Sequence, residues 1–347
     1  MFRVKPGRVV ALVVVAVVVA SAFGVAAGAP VDVAKFKKAP PYVIALCNMS
    51  VVNAWRVAMV EEFKAAAASS PLISKVEITD AGGQIQKQIA DMEDLIAKKV
   101  DAILITAQSP SALSPAVEKA VRAGIPVIAF DNIVDTPVTT VKVIADQQEL
   151  GASMARWLVQ ELGGKGKVFA LGGVAGAPAA VQRWEGASRE FKKAPGIQVI
   201  GPNWVNWAYD KAKQTAENLL AAHPDVAGIW TDGGGSAQGA LEVVLASGRV
   251  IPVTGTASNG FVKMWAQAKP KGFKSYSATA IPGDVLVALD IALNILQGKP
   301  TENIVYSPLA IVDNSNVDKL ARFDLSDEFW VHCTLPEEII TKLWGKK

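Results

Sequence analysis

The chain has 347 residues, 51% of them hydrophobic and 19% charged, a globular balance with room for two domains that each hold a core. Its 35 basic and 32 acidic side chains leave a formal net charge of +3, without the concentrated basic face that would point to nucleic acid as a partner. Nine tryptophans exceed what a core of this size needs, so some are expected to stack on a ligand.

At the amino terminus, Arg3, Lys5 and Arg8 precede the Val/Ala/Leu run from Val9 to Val19, which decays into Ala20-Ser21-Ala22 and Val25-Ala26-Ala27-Gly28-Ala29. Charge, apolar core and small-residue exit predict a secretory signal peptide over 1–29, cleaved near Ala27 or Ala29, with Pro30 disfavouring the second site. An uncleaved membrane anchor is the alternative, because the apolar stretch approaches the length of a span. No cysteine ends the signal, so an exported protein without a lipid anchor is expected. The two cysteines, Cys47 and Cys333, either pair or stay free, with Cys47 inside an apolar run.

Beyond a polar entry from Lys35 to Pro41, short β-branched runs alternate with segments of helical period, which predicts βα units around a parallel sheet. The first set of predicted strands is 42–47, 75–79, 101–106 and 126–130, with helices near 53–69, 84–99 and 111–123. The second set is 167–171, 198–201, 226–231, 251–254 and 274–278. Its helices run near 147–162, 179–193, 210–222, 236–247 and 260–268, and a further helix spans 284–297. Gly163-Gly164-Lys165-Gly166 reads as a turn, not a phosphate loop. Two consecutive wraps without a long linker predict two doubly wound lobes. Ligands on such sheets bind at the carboxyl ends of strands, near the switch in strand order.

Several stretches resemble the type I periplasmic binding proteins, in their ribose-binding-like branch. They are Gln88 to Asp101 with Ala102-Ile103-Leu104-Ile105, Ala123 to Asp131, Leu162 to Val168, and Glu217 to Asp225. Their order and spacing carry the resemblance. It implies an α/β fold of two doubly wound parallel-sheet lobes joined by hinge crossovers. The amino-terminal lobe would hold 40–145 plus 282–306, and the carboxy-terminal lobe 146–281 plus 307–347. It also implies closure of the lobes on a ligand, a periplasmic location and an ABC-type membrane permease as partner.

A sugar presents hydroxyls at its edge and apolar C–H faces, so a site for one needs flat aromatic rings with charged or amide groups at the rim. By the resemblance, Asn53 would bond a hydroxyl and Trp55 would stack, in Asn53-Ala54-Trp55-Arg56. The alternatives are a helix cap and a core ring. Arg56 stands where the family has a second aromatic, and either reads the ligand or faces solvent. Asp131, directly after a predicted strand, would accept hydroxyl hydrogen bonds, and Asn132 stands where the family has arginine. Arg183 aligns with the family's ligand-binding arginine. Trp207 falls where the second stacking ring belongs, with Trp204 as the structural one. Asp232, before the bare run Gly233-Gly234-Gly235, replaces an asparagine and serves either the ligand or a helix cap. Asn259 lies near the family's last aspartate by a looser alignment, and no residue around 279–282 is assigned.

The chain has no G-x-x-x-x-G-K-[ST], H-E-x-x-H or C-x-x-C motif, and His223 and His332 stand far from any predicted cleft loop. No enzyme activity, cofactor or metal is therefore expected. The expected role is capture of a monosaccharide, polyol or sugar acid by a monomer. The alternatives are a sensory binding protein that presents a small ligand to a membrane receptor, or a nucleoside-binding importer component. The same two-lobed core occurs in transcriptional regulators, but those carry a helix-turn-helix where this chain has its export signal.

Overall fold

The computed structural model describes residues 28–51 and 53–346. Apart from Gly28 and Ala29, the signal-peptide reading lies outside the described residues. The chain begins with β1 (Tyr42–Asn48), α1 (Ala54–Ser69), β2 (Ile73–Asp80), α2 (Ile85–Ala97), β3 (Ala102–Ile105), α3 (Ser114–Arg122), β4 (Val127–Phe130) and β5 (Val141–Ala145). It continues with α4 (Gln147–Glu161), β6 (Lys165–Gly172), α5 (Pro178–Lys192), β7 (Gly196–Trp204), α6 (Tyr209–Ala222), β8 (Val226–Thr231), α7 (Gly234–Ala246) and α8 (Asn259–Ala268). Last come β9 (Tyr276–Thr279), α9 (Asp284–Leu296), β10 (Ile304–Ser307), β11 (Ala310–Asp313) and a tail with α10 (Val317–Leu320) and α11 (Glu337–Trp344).

One sheet is parallel throughout, in the order β2-β1-β3-β4-β5-β10. Its central strands β3 and β4 are buried and apolar throughout because helices cover both faces, whereas the edge strand β2 is partly exposed. Along β1 the side chains alternate: Ile44 and Leu46 pack with α1 and α9, while Ala45 and Cys47 pack with α2 and α3. The second sheet, β7-β6-β8, is also parallel and gains a single bridge from Ile229 to Val253. Here Val168, Ala170 and Trp230 face α4 and α5, and Phe169, Leu171 and Ile229 face the side of α6, α7 and α8. An antiparallel pair, β9 with β11, stands beside it.

The chain passes between the sheets three times: from β5 into α4, from β9 into α9, and from β10 into β11. The predicted strand 251–254 forms only the bridge at Val253, since one residue is all that meets β8. Three short strands, β5, β10 and β11, have no counterpart in the sequence reading. β10 pairs with β5 across more than 150 residues of intervening chain, so no local pattern announces it. The tail is folded as well: Phe329, Val331, Leu335, Ile340 and Trp344 bury themselves in the core that holds Phe261 and Trp265. Cys47 and Cys333 are both free thiols.

Candidate ligand-binding site

Both sheets change strand order beside their first strand, at β1/β3 and at β6/β8, and doubly wound sheets hold ligands at such points. Asn53, Trp55 and Arg56 follow β1, Asp131 follows β4, Arg183 lies in α5 after β6, Trp207 follows β7 and Asp232 follows β8.

On the first sheet, Asn53 caps α1, its Oδ1 accepting from the Arg56 backbone N–H at 3.0 Å. The cap starts the helix so that Trp55 and Arg56 fall in its first turn. Arg56 does not face solvent. Its Nη1 donates to Thr106 Oγ1 at 3.0 Å, its Nη2 donates to Asp131 Oδ2, and Met49 and Met59 sulfurs line the guanidinium. Asp131 has φ of 55°, a left-handed conformation that aspartate tolerates better than most residues, and this turns its carboxylate back under the end of β4. Thr106 Oγ1 lies 3.3 Å from the same Oδ2, whereas Oδ1 takes no hydrogen bond from the described residues. Trp55 is half-buried, stacks with Arg56 at 4.9 Å, and donates its Nε1–H to the Ala280 carbonyl in the passage between β9 and α9.

The second sheet repeats the grouping of tryptophan, arginine and aspartate. Helices α4 and α5 approach backbone to backbone, because a Cβ on Gly151 or Gly186 would come within 1.9 Å of a carbonyl oxygen on the other helix. That closeness sets Arg183 Nε 2.7 Å from Gln147 Oε1, while its Nη1 donates to the Asp232 carbonyl at 2.9 Å. Burial pulls the Arg183 pKa down, and the charges of Asp232 and Asp131 oppose that, so the arginine senses a carboxylate from each sheet. Trp207 lies in a turn closed by Ala208 N–H to Val205 O at 3.0 Å, with positive φ at both Asn206 and Trp207. Its Nε1–H donates to Asp232 Oδ1 at 3.1 Å, and Arg183 sits 5.7 Å from its ring centre.

Glycines make room for that ring. A Cβ on Gly173 would lie 2.1 Å from Trp207 Cε2, and one on Gly233 would lie 2.6 Å from Cδ1. Gly172 does the same for Trp204, the structural ring. The bare run at Gly233 is therefore a floor for an aromatic ring, a signal legible in the sequence but not used there. Asp232 does not cap α7, since Gly233 occupies the cap position without a side-chain bond. It is fully buried, and burial pushes its pKa up to about 6 against the opposing pull of Arg183 and the Trp207 N–H.

Asn259 is not brought to this group. Its amide nitrogen donates to the carbonyls of Arg322 and Ser326, its oxygen accepts from the Arg322 N–H, and it thereby ties the tail to the start of α8. Both amide N–H groups are engaged and the side chain is fully buried against the tail. Several residues of the site escaped the sequence reading. Thr106 and Met49 hold Arg56; Gln147 holds Arg183; and buried Gln88 braces the strand ends through the Thr106 carbonyl and the Gln108 N–H, each at 2.8 Å. Asn48, at the end of β1, keeps both side-chain polar atoms buried without partners among the described residues. Of the nine tryptophans, Trp230 and Trp265 are core, and Trp157 and Trp184 pack on Tyr276 and Trp230. A hollow of about 580 Å³ between α6 and α7 lies outside this group and opens to solvent.

Residues 44–300 match the family profile described as periplasmic binding protein domain. The chain is 33% identical over 239 residues to the ribose import binding protein RbsB of Bacillus subtilis, spanning 68% of this chain and 76% of that one. It is 28% identical over 177 residues to the xylitol-binding protein of Mycolicibacterium smegmatis, a match covering about half of each chain, 50% and 51%. It also superposes with a TM-score of 0.67 and 26% identity on a periplasmic solute-binding protein of an ABC transporter from Actinobacillus succinogenes with bound D-allose. That likeness covers 80% of this chain and 99% of the other. Among the described residues no helix is long and apolar enough to cross a membrane, and no cluster of metal-ligating side chains is present.

Proposed function

This chain belongs to the periplasmic binding protein domain family, in its sugar-binding type I branch, and on that premise we propose that it captures a monosaccharide or polyol between its two lobes for an ABC-type importer. The observation that carries this reading is the paired grouping of Trp55, Arg56 and Asp131 on one sheet with Trp207, Arg183 and Asp232 on the other. Each aspartate has one carboxylate oxygen engaged by the protein and one that takes no hydrogen bond from the described residues. Such oxygens accept hydroxyl hydrogen bonds, and the rings supply flat apolar faces for the C–H surface of a sugar. Asn53 stands at the mouth with its amide N–H groups unused. Both arginines already meet carboxylate charge, which favours a neutral ligand over a sugar acid.

The experiment is a thermal-shift screen of the purified protein against D-ribose, D-allose, xylitol, sugar acids and nucleosides. A ligand at a thousandfold excess over its Kd adds about 4 kcal/mol of stability. A shift with neutral sugars or polyols that Trp55→Ala and Asp131→Ala both abolish supports the assignment. A shift only with nucleosides, or none at all, removes it.

A further inference from the structure

The proposed cleft contains a buried carboxylate oxygen to which no described residue donates. Asp232 is fully buried, Trp207 Nε1–H occupies its Oδ1, and Oδ2 has no partner among the described residues. A buried carboxylate oxygen without a donor costs free energy, and native structures keep few of them. Burial favours the neutral acid, and two neighbours oppose it. Arg183 faces it from α5, and the indole N–H can only donate. Asp131, paired with Arg56, acts on Arg183 from the other sheet.

We propose that the ligand supplies the missing donor: a neutral hydroxyl binds to Asp232 Oδ2, and capture is thereby coupled to release of the Asp232 proton to solvent. The inference rests on the cleft assignment above and adds a regulation to it. In the empty protein, burial holds this carboxyl near pH 6, so a part of the population is protonated in mildly acidic surroundings. The bound hydroxyl donates to the carboxylate and stabilises its charge, so the acid O–H breaks, the proton leaves to water, and the ligand O–H stays intact. Affinity consequently falls as pH drops through 6 and is constant well above it.

The test measures Kd by titration calorimetry at pH 5.0, 6.0, 7.5 and 8.0, with D-ribose, D-allose and xylitol as probes. Buffers of different ionisation enthalpy count the protons released. The expected result is a Kd about tenfold weaker at pH 5.0 than at pH 7.5, the protonated-to-ionised ratio of such a carboxyl one unit below its pKa. Proton release should approach one per ligand at pH 5.0, fall to about half at pH 6.0 and vanish by pH 7.5. Asp232→Asn is expected to lose both effects while still binding, and Asp284→Asn, which changes another buried acid, to retain both. Binding with a flat pH profile and no proton release in the wild type overturns the proton coupling and leaves the cleft assignment standing. A pH dependence that survives in Asp232→Asn also overturns it. If no probe binds at any pH, the cleft assignment itself fails, and the proposal with it.

Discussion

Arg56 and Asp131 are 75 residues apart in the chain and form an ion pair beneath the proposed cleft, joined at the same carboxylate oxygen by the Thr106 hydroxyl. The arginine occupies Oδ2 and so decides which way Oδ1 points. Arg56→Ala leaves Asp131 without its partner and is expected to cost about 1–3 kcal/mol, at the low end because Asp131 still reaches water. Arg56→Lys keeps the charge but loses the planar fork, so it should fall between wild type and alanine. Urea melts and calorimetric Kd values for the probe that wins the screen should rank the three in that order. Equal affinity in all three would show that the pair does not orient Asp131.

The Trp207 ring depends on two missing side chains. Gly173→Ala places a methyl group inside the ring's volume, where flanking backbone cannot yield, and moves the indole off the Asp232 carboxylate. Affinity should weaken at least tenfold, about 1.4 kcal/mol. The emission spectrum should change with it. An unchanged Kd in Gly173→Ala would show that the ring does not touch ligand.

Two acids are buried away from the paired groupings. Burial pushes Asp284, at the start of α9, up to about 7, opposed by the nearby Ser307 hydroxyl and reinforced by the charges of Asp131 and Glu62. Burial also raises Glu62 on α1. The folded protein therefore holds protons on these two acids that the unfolded chain releases, so their contribution to stability is fully present below the ordinary carboxylate range and is lost as pH rises through 7. The melting temperature should be several degrees higher at pH 5.5 than at pH 8. Asp284→Asn should flatten that slope, and a melting temperature that climbs with pH in the wild type would contradict the assignment.

Glu62 also ties α1 to the tail, accepting from both the N–H and the hydroxyl of Thr334. Ala58, one turn earlier, joins the core otherwise built from the second sheet's helices and the tail. The tail thus straps one sheet's helix to the other sheet. Glu62→Ala leaves the Thr334 N–H without an acceptor and should cost about 1–3 kcal/mol, whereas Glu62→Gln retains an acceptor oxygen and should lose less. Hydrogen exchange at 331–335 should quicken in the alanine variant. Protection unchanged there would mean that other contacts hold the strap.

The alternation of β-branched runs with helical segments determined the fold class from sequence alone, because burial on both faces forces strands such as Ala102–Ile105 to be apolar throughout. Strand-end positions also marked Asp131 and Asp232, since doubly wound sheets present those ends to ligands. What each residue does there was decided by tertiary contacts. Arg56 was open between ligand and solvent until Asp131 and Thr106 came beside it from distant strands. Asp232 was open between cap and ligand until Gly233 took the cap. Asn259 matched by position only, and the tail that claims its amide lies more than 60 residues downstream. The resemblance assigned 282–306 and 307–347 to lobes, but strand β10 and the elements of the tail had no local signal, for the same reason. Local periodicity reports which face of an element is buried, but the partner that buries it is chosen by chain crossings, which no window of sequence contains.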